Sequence, residues 1–459
     1  MKPFITAILL ASLAINGKTQ SEPVLPTSAQ VEYQEMELVG FIHFTVNTFT
    51  DKEWGYGDED PALFDPGELD AEQWVKMARE AGMKELILTA KHHDGFCLWP
   101  SAYTAHSVRN SPYKNGKGDI VKEFTDACRK HGMKVGLYLS PWDRNHPDYG
   151  TPAYLTYYRN QLRELLTGYG EINEIWFDGA NGGTGYYGGA KEERRIDRKN
   201  YYGWPATIKM VKELQPGIKI FSDAGPDIRW VGNENGIAGE TFWSTISDEH
   251  LVIGDSDPAC LNRGDPGGNR WIIGQCDVSI RPGWFYHPAE DSMVKTPQQL
   301  VDIYYKSVGR NGVMLLNLPP DRRGLIHETD VASLKEFRSI LDESFQNDLA
   351  SGTSLEVLAR DSTTAEYMLD LEKPVMFDRI LVQEPIREGQ RVSSFRVEAE
   401  IAPDQWEPVA HGTTIGYKRI LSISPVSAEK LRLVVEYAIY PPSIARIGLY
   451  KSSPREYEE

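Results

Sequence analysis

The chain is 459 residues long, carries a formal net charge of -17 and is 11% aromatic. That length provides one large domain and a smaller one, with ample material for a buried core. Lys and Arg do not gather into runs, so the acidity argues against nucleic acid or an anionic membrane as partner and leaves neutral or cationic ligands open.

Met1-Lys2-Pro3 precedes a nearly unbroken apolar run from Phe4 to Ile15 and then the polar Asn16-Gly17-Lys18. A basic start, a short apolar stretch and small residues near Ala11 and Ala14 read as a secretory signal over residues 1–20, which sends the protein to the periplasm or outside the cell. No Cys ends that run to carry a lipid anchor, and no other stretch is apolar for long enough to cross a bilayer. Leu38 to Phe44 is an apolar run of strand length that closes on His43, and Thr48 to Gly55, with Glu53 and Trp54, reads as a loop. Between Asp70 and Gly82, Trp74, Met77, Ala78 and Ala81 recur at helical spacing, with the Asp as cap and the Gly as stop. Glu85 to Ala90 reads as a strand delivering Lys91-His92-His93-Asp94 at its carboxyl end. A helix over 119–131, a strand over 135–139 with the exit Ser140-Pro141-Trp142-Asp143, and a helix over 152–169 follow.

Glu174-Ile175-Trp176-Phe177-Asp178-Gly179 then has the texture of a fully buried parallel strand that stops at an acid. Asp178 suits the carboxyl end of a barrel strand, where chemistry is done, although a lone Asp before Gly also suits a cap or turn. Strand-like runs continue at 219–222, 271–273 and 313–316, with helices near 204–214 and 296–308. The segments 182–198 and 232–283 are Gly-rich and irregular, as functional loops often are. Alternating strands and helices predict an α/β fold, a (β/α)8-like TIM barrel over residues 30–347 closed by a helix over 328–347; a doubly wound sheet is the alternative, and length favours the barrel. Past it, short alternating runs such as 394–399 and 431–435 predict an all-β sandwich over 348–459.

The strand ends carry His43, Glu53, Trp54, His92, His93, Trp142, Asp143, Asp178, Asp223, Arg229, Glu234 and Trp284. Carboxylates for covalent and acid/base work, imidazoles and a guanidinium for hydroxyls, and indoles for sugar faces make the inventory of a carbohydrate hydrolase. Arg229 equally suits a structural ion pair. Adjacent residues on a strand point to opposite sides, so His92 and His93 are read as hydroxyl-binding groups rather than a metal pair. Cys97, Cys128, Cys260 and Cys276 include no Cys-x-x-Cys, which argues against zinc; Cys260 and Cys276 are open to bridging or to staying free.

Four motifs resemble the α-L-fucosidases of glycoside hydrolase family 29: Gly40-Phe41-Ile42-His43-Phe44, Lys91-His92-His93-Asp94-Gly95-Phe96, Gly136-Leu137-Tyr138-Leu139-Ser140-Pro141-Trp142, and Glu174-Ile175-Trp176-Phe177-Asp178-Gly179-Ala180. The resemblance implies a catalytic barrel followed by a β-sandwich and retaining catalysis with Asp178 as nucleophile; the mechanism requires no cofactor, and no acidic cluster in the sequence identifies the calcium ion that such a sandwich can hold. Trp230-Val231-Gly232-Asn233-Glu234-Asn235-Gly236 resembles the acid/base loop of the subgroup restricted to branched α-1,3- and α-1,4-linked fucose. That selects Glu234, with Glu240 as second candidate. His43, Glu53, His92 and His93 are then expected to bind hydroxyls, Trp54, Trp142 and Trp284 to contact the ring or methyl, and Tyr138 and Arg229 to assist. The implied protein is an exported exo-fucosidase acting on Lewis-type oligosaccharides or glycoprotein glycans. A broad fucosidase and a non-catalytic fucose-binding protein are the other readings. The second domain is expected to buttress the barrel, and the oligomeric state stays open.

Overall fold

The computed structural model describes residues 22–178 and 185–457. The apolar leader, and Gly179 and Ala180 of the fourth motif, lie outside the described residues. Eight strands close a parallel barrel: β1 Leu38–Ile42, β2 Glu85–Lys91, β3 Lys134–Leu139, β4 Glu174–Trp176, β5 Lys219–Ser222, β6 Ile228–Trp230, β7 Ile273–Ser279 and β8 Val313–Asn317. They pair in chain order, and β8 returns to β1 with Leu38 opposite Met314. Every residue of β1, β2, β5, β7 and β8 is buried, which is why β1, β2, β5 and β8 read as largely apolar runs without alternation.

Inward-facing Phe41, Ile87, Tyr138, Trp176, Phe221 and Ile273 share the barrel interior. Outward neighbours pack under the surrounding helices. Helix α1 (Ser28–Gln34) lies across the amino-terminal end, where Gln30 Nε2 donates to Trp271 O at 2.8 Å and Gln34 Nε2 to Asn311 O at 2.9 Å. Helices α2 (Ala71–Glu80) and α3 (Ile120–Lys130) start at the caps that the sequence marks: Asp70 accepts from Glu72 N at 2.9 Å and Asp119 from Lys122 N at 2.9 Å. Helices α4 (Pro152–Gly168), α5 (Trp204–Leu214), α6 (Pro297–Ser307) and α7 (Glu328–Phe345) complete the ring.

Two departures from the sequence reading occur on the second half of the barrel. Only residues 223–227 join β5 to β6, with no helix between, and the three residues of β6 were too short a run to register as a strand. The run at 271–273 is not one strand. Arg270–Trp271 pairs antiparallel with Thr245–Ile246, and the barrel strand begins at Ile273 and continues to Ser279.

After α7 come β9 (Leu355–Arg360), β10 (Ala365–Gln383), β11 (Val392–Ala402), β12 (Gln405–Gly412), β13 (Arg419–Ala438) and β14 (Arg446–Tyr450), all paired antiparallel in one hydrogen-bonded sheet. The 19-residue β10 pairs β9 along its first part and β14 along its last, with register shifts after Asp370 and Phe377. Buried Tyr367, Phe377, Val382, Phe395 and Leu433 from these strands meet in a single core. The expected all-β unit is thus built from one hydrogen-bonded antiparallel sheet around a single core, with bulges along its longest strands.

The second unit grips the barrel through buried polar contacts. Glu37, just before β1, accepts from Tyr304 OH at 2.6 Å and Tyr417 OH at 2.7 Å and pairs with Lys418. Gln390 accepts from Ser244 N and donates to Phe242 O, each at 2.9 Å. All four cysteines are free, including Cys260 and Cys276.

Candidate active site

A cavity of about 810 Å³ opens at the carboxyl ends of the strands, lined by Asp178, Glu234, His43, Glu53, His92 and His93 together with an aromatic wall. Asp178 stands two residues past β4, half-buried. Tyr138 OH donates to its Oδ2 at 3.1 Å, and His93 Nε2 lies 3.4 Å from the same oxygen. Burial first, and then the Asp178 charge, hold the Tyr138 phenol well above its ordinary range, so it stays a donor.

His92 and His93 both line the cavity, with ring centroids 4.0 Å apart. The expectation that they point to opposite sides is corrected: the β2–β3 register shifts between Thr89 and Lys91, and both imidazoles lie beyond the strand, where strict alternation no longer holds. Burial keeps all three cavity histidines neutral, pushing His43 and His93 down to about 3 and His92 well below its usual range. The hydrogen-bond network assigns two tautomers. Asn317 spends its amide hydrogens on Ser279 Oγ at 2.9 Å and Trp284 O at 2.8 Å, so its Oδ1, 2.8 Å from His43 Nδ1, accepts. Ser140 donates to Trp142 O at 2.7 Å, so its oxygen, 2.8 Å from His93 Nδ1, accepts as well. Both rings therefore carry hydrogen on Nδ1; His43 presents Nε2 as an acceptor suited to a donating hydroxyl, while His93 Nε2 faces Asp178 Oδ2.

Beneath this shell, Lys91 Nζ meets Asp143 Oδ2 at 2.8 Å with both side chains closed off from solvent. Asp143 also accepts from Asn145 N and His146 N at 2.9 Å, which fixes the loop carrying Trp142 and Arg144. Glu53 is held by Trp284 N at 2.9 Å, Phe285 N at 3.1 Å and His287 Nε2 at 2.7 Å. Trp54, 58% exposed, stands at the rim edge-on to Trp142. Phe41, Trp176 and Phe221 form an apolar wall, the last two stacked with centroids 3.9 Å apart.

Glu234 sits on the loop after β6, where Trp284 Nε1 donates to its Oε2 at 3.1 Å. Gly232, with φ of 80°, lets that loop turn: a Cβ there would come within 2.3 Å of Pro258 O. Asn233 and Asn262 side chains tie the loop to Ile237 O and Val231 O, each at 2.8 Å. A model of the family described as Alpha-L-fucosidase matches residues 25–343. The chain belongs to the α-L-fucosidase family.

Among fucosidases, it is 42% identical to Alpha-L-fucosidase 1 of Arabidopsis thaliana, over 97% of this chain and 92% of that protein. A crystal structure of a glycoside hydrolase 29 family member from an unknown rumen bacterium superposes with a TM-score of 0.88 at 49% identity, covering 94% of this chain and 78% of that one. A Ruminococcus gnavus family 29 fucosidase in complex with fucose matches with a TM-score of 0.85 at 32% identity, covering 95% and 98% of the two chains.

Of the residues expected from sequence, the fucosidase cavity gathers Asp178, Glu234, His43, Glu53, Trp54, His92, His93, Tyr138, Trp142 and Trp284. Two stand elsewhere. Arg229, expected to bind sugar, is fully buried and donates to the carbonyls of Leu261 at 3.1 Å, Trp243 at 2.7 Å and Ile272. Its partners are carbonyls, so it is neither a sugar ligand nor half of an ion pair; it fastens the chain between β6 and β7. Glu240 lies outside the cavity, paired with Arg310 at 2.7 Å and with Arg419. Of the two acid/base candidates, only Glu234 reaches the cavity.

The cavity also holds Arg144, Arg198, Trp230, Asp255 and Asp277, which the sequence reading did not single out. Asp277 was hidden by the misplaced end of β7, and Asp255 by the absence of any period in its loop. Asp223, noted at a strand end, accepts Gly254 N on both oxygens at 3.1 and 2.9 Å and so pins the loop bearing Asp255. Burial, aided by the nearby Asp178 charge, pushes its carboxyl up to about 7.

Proposed function

We propose that this α-L-fucosidase is an exported, retaining exo-enzyme that removes α-1,3- or α-1,4-linked branch fucose from Lewis-type glycans. The observation that carries the reading is the presence of Asp178 and Glu234 in one cavity with different hydrogen-bond partners. Asp178, beside the Tyr138 donor, attacks the anomeric carbon as the glycosidic bond breaks, and Glu234 gives its proton to the departing oxygen. Glu234 then takes a proton from water, whose oxygen displaces the Asp178 ester.

The three neutral imidazoles suit the hydroxyls of fucose, and the Phe41, Trp176 and Phe221 wall suits the methyl group that replaces its 6-hydroxyl. Trp54, Arg198 and Asp255 at the mouth give room and polar contact for the sugar next to a branch fucose. The resemblance of the Asn233-Glu234-Asn235 loop to the branch-restricted subgroup supports the linkage, and the apolar leader supports export.

Release of fucose from Lewis a trisaccharide and from an aryl α-L-fucoside, at equal enzyme concentration, tests the reading. Efficient trisaccharide cleavage with poor aryl hydrolysis is expected, and NMR of the first-formed product should show retention as the α-anomer. Comparable rates on both would turn the assignment to a broad fucosidase, and release from neither with fucose still bound would turn it to a sugar-binding protein. Amino-terminal sequencing of the exported protein, expected to start near residue 20, tests the signal.

A further inference from the structure

The reaction above leaves one cavity carboxyl without a task. Asp277, on β7, lines the cavity with Asp178 and Glu234, is 4% exposed, and has its Oδ1 enclosed without a hydrogen-bond partner. Such a group calls for an explanation, because an unpaired buried polar atom costs stability.

The backbone brings its strand beside the Glu234 loop. Asn235 forms an antiparallel bridge with Val278, which lays the loop carrying Glu234 alongside the part of β7 that carries Asp277. Gly236 keeps that approach close, since a Cβ there would lie 2.9 Å from Val278 Cγ1. The groups that act most on Asp277 are the Glu234 carboxyl, the Trp230 indole and the Asp178 carboxylate. Burial first, and Glu234 next, raise its proton affinity well above the ordinary carboxyl range.

We propose that Asp277 and Glu234 form a proton-sharing pair: Asp277 holds the proton at rest and passes it to Glu234 for delivery to the leaving oxygen. The pair rests on Glu234 being the acid/base of the proposed reaction. In the first step the proton leaves an Asp277 oxygen for Glu234, the Glu234 proton goes to the glycosidic oxygen as its bond to the anomeric carbon breaks, and Asp178 forms the ester. In the second, water yields a proton to Glu234 and its oxygen to the anomeric carbon, Asp178 departs as a carboxylate, and the proton returns to Asp277.

Asp277→Asn keeps the shape and cannot supply a proton. Its kcat/KM on Lewis a trisaccharide should fall at least ~30-fold while that on a 2,4-dinitrophenyl α-L-fucoside stays within about threefold, because a good leaving group needs no proton. The alkaline limb of the trisaccharide profile should move to lower pH, and calorimetric L-fucose affinity should hold. A parallel fall on both substrates, or no fall on either, overturns the pair. Should Asp277→Asn fail to fold, Asp277→Ser, smaller and equally unable to release a proton, is read in the same way. Wild-type protein that hydrolyses neither substrate would overturn the proposed function itself, a separate outcome seen before any variant is made.

Discussion

Trp284 binds Glu234 through its indole at 3.1 Å and Glu53 through its backbone nitrogen at 2.9 Å, so one residue sets the positions of two cavity carboxylates. Trp284→Phe keeps the backbone contact and the ring but removes the indole donor. A hydrogen bond to a charged group contributes roughly 1.5–3 kcal/mol, so kcat/KM on an oligosaccharide should fall about 10- to 100-fold. Steady-state kinetics with an unchanged melting temperature would locate the loss at Glu234. An unchanged rate would mean that Glu234 is positioned by other contacts.

Asp178→Ala should lower turnover by about 10⁴-fold or more without loss of fold. Sodium azide should restore part of the rate on an aryl fucoside and yield a fucosyl azide of inverted configuration, identifiable by NMR. Full activity in the variant would remove Asp178 from the nucleophile's role.

Lys91 and Asp143 test the buried scaffold under the site. Lys91→Met strands the Asp143 carboxylate away from solvent, and breaking a buried pair from one side costs about 3–5 kcal/mol. Denaturant unfolding should show a loss of that size, and the double variant Lys91→Met with Asp143→Leu should recover part of it. Equal losses in the single and double variants would place the cost in the surrounding packing.

His93 makes stability depend on pH in a definite direction. Its folded-state value is pushed by burial from 6.5 to about 3, so between those values the unfolded chain binds the extra proton. Its contribution is therefore intact above about pH 6.5 and is lost as pH falls towards 3, by up to roughly 1.4 kcal/mol per pH unit. Asp94 and Asp223 act oppositely, their carboxyls being pushed up to about 7 by burial, so wild-type melting alone mixes the two effects. The comparison that isolates His93 is His93→Gln against wild type, whose stability difference should move in the variant's favour as pH drops from 6.5 to 4. A constant difference would show that His93 does not change protonation on unfolding.

The first half of the barrel was legible because its elements carry their own punctuation. Asp70 and Asp119 cap helices, the apolar runs of β1, β2 and β3 have strand length, and the residues just beyond the strands lie in the cavity. The second half lacked those marks. Ile228-Arg229-Trp230 is a strand of three residues around a buried arginine, whose burial is balanced by carbonyls from distant segments. Local sequence holds no trace of such partners, which is why a sugar ligand and an ion-pair partner are the two readings it offers for Arg229. The separation of Glu234 from Glu240 was equally invisible, because it depends on Arg310 and on Arg419 across the domain junction.

That junction has a consequence for how the two units can be handled. The segment following Glu234 is held from the second unit at several points: Thr413 Oγ and Arg419 Nη1 donate to Glu240 O at 2.8 and 2.9 Å, and Phe242 N donates to Thr414 Oγ at 2.9 Å. A barrel cut away at residue 347 would keep the residues of its eight strands and lose these restraints on the stretch that leads out of the Glu234 loop. The C-terminal sheet thus helps to hold a loop of the cavity, and grafting it from one relative onto another would alter that loop from a distance.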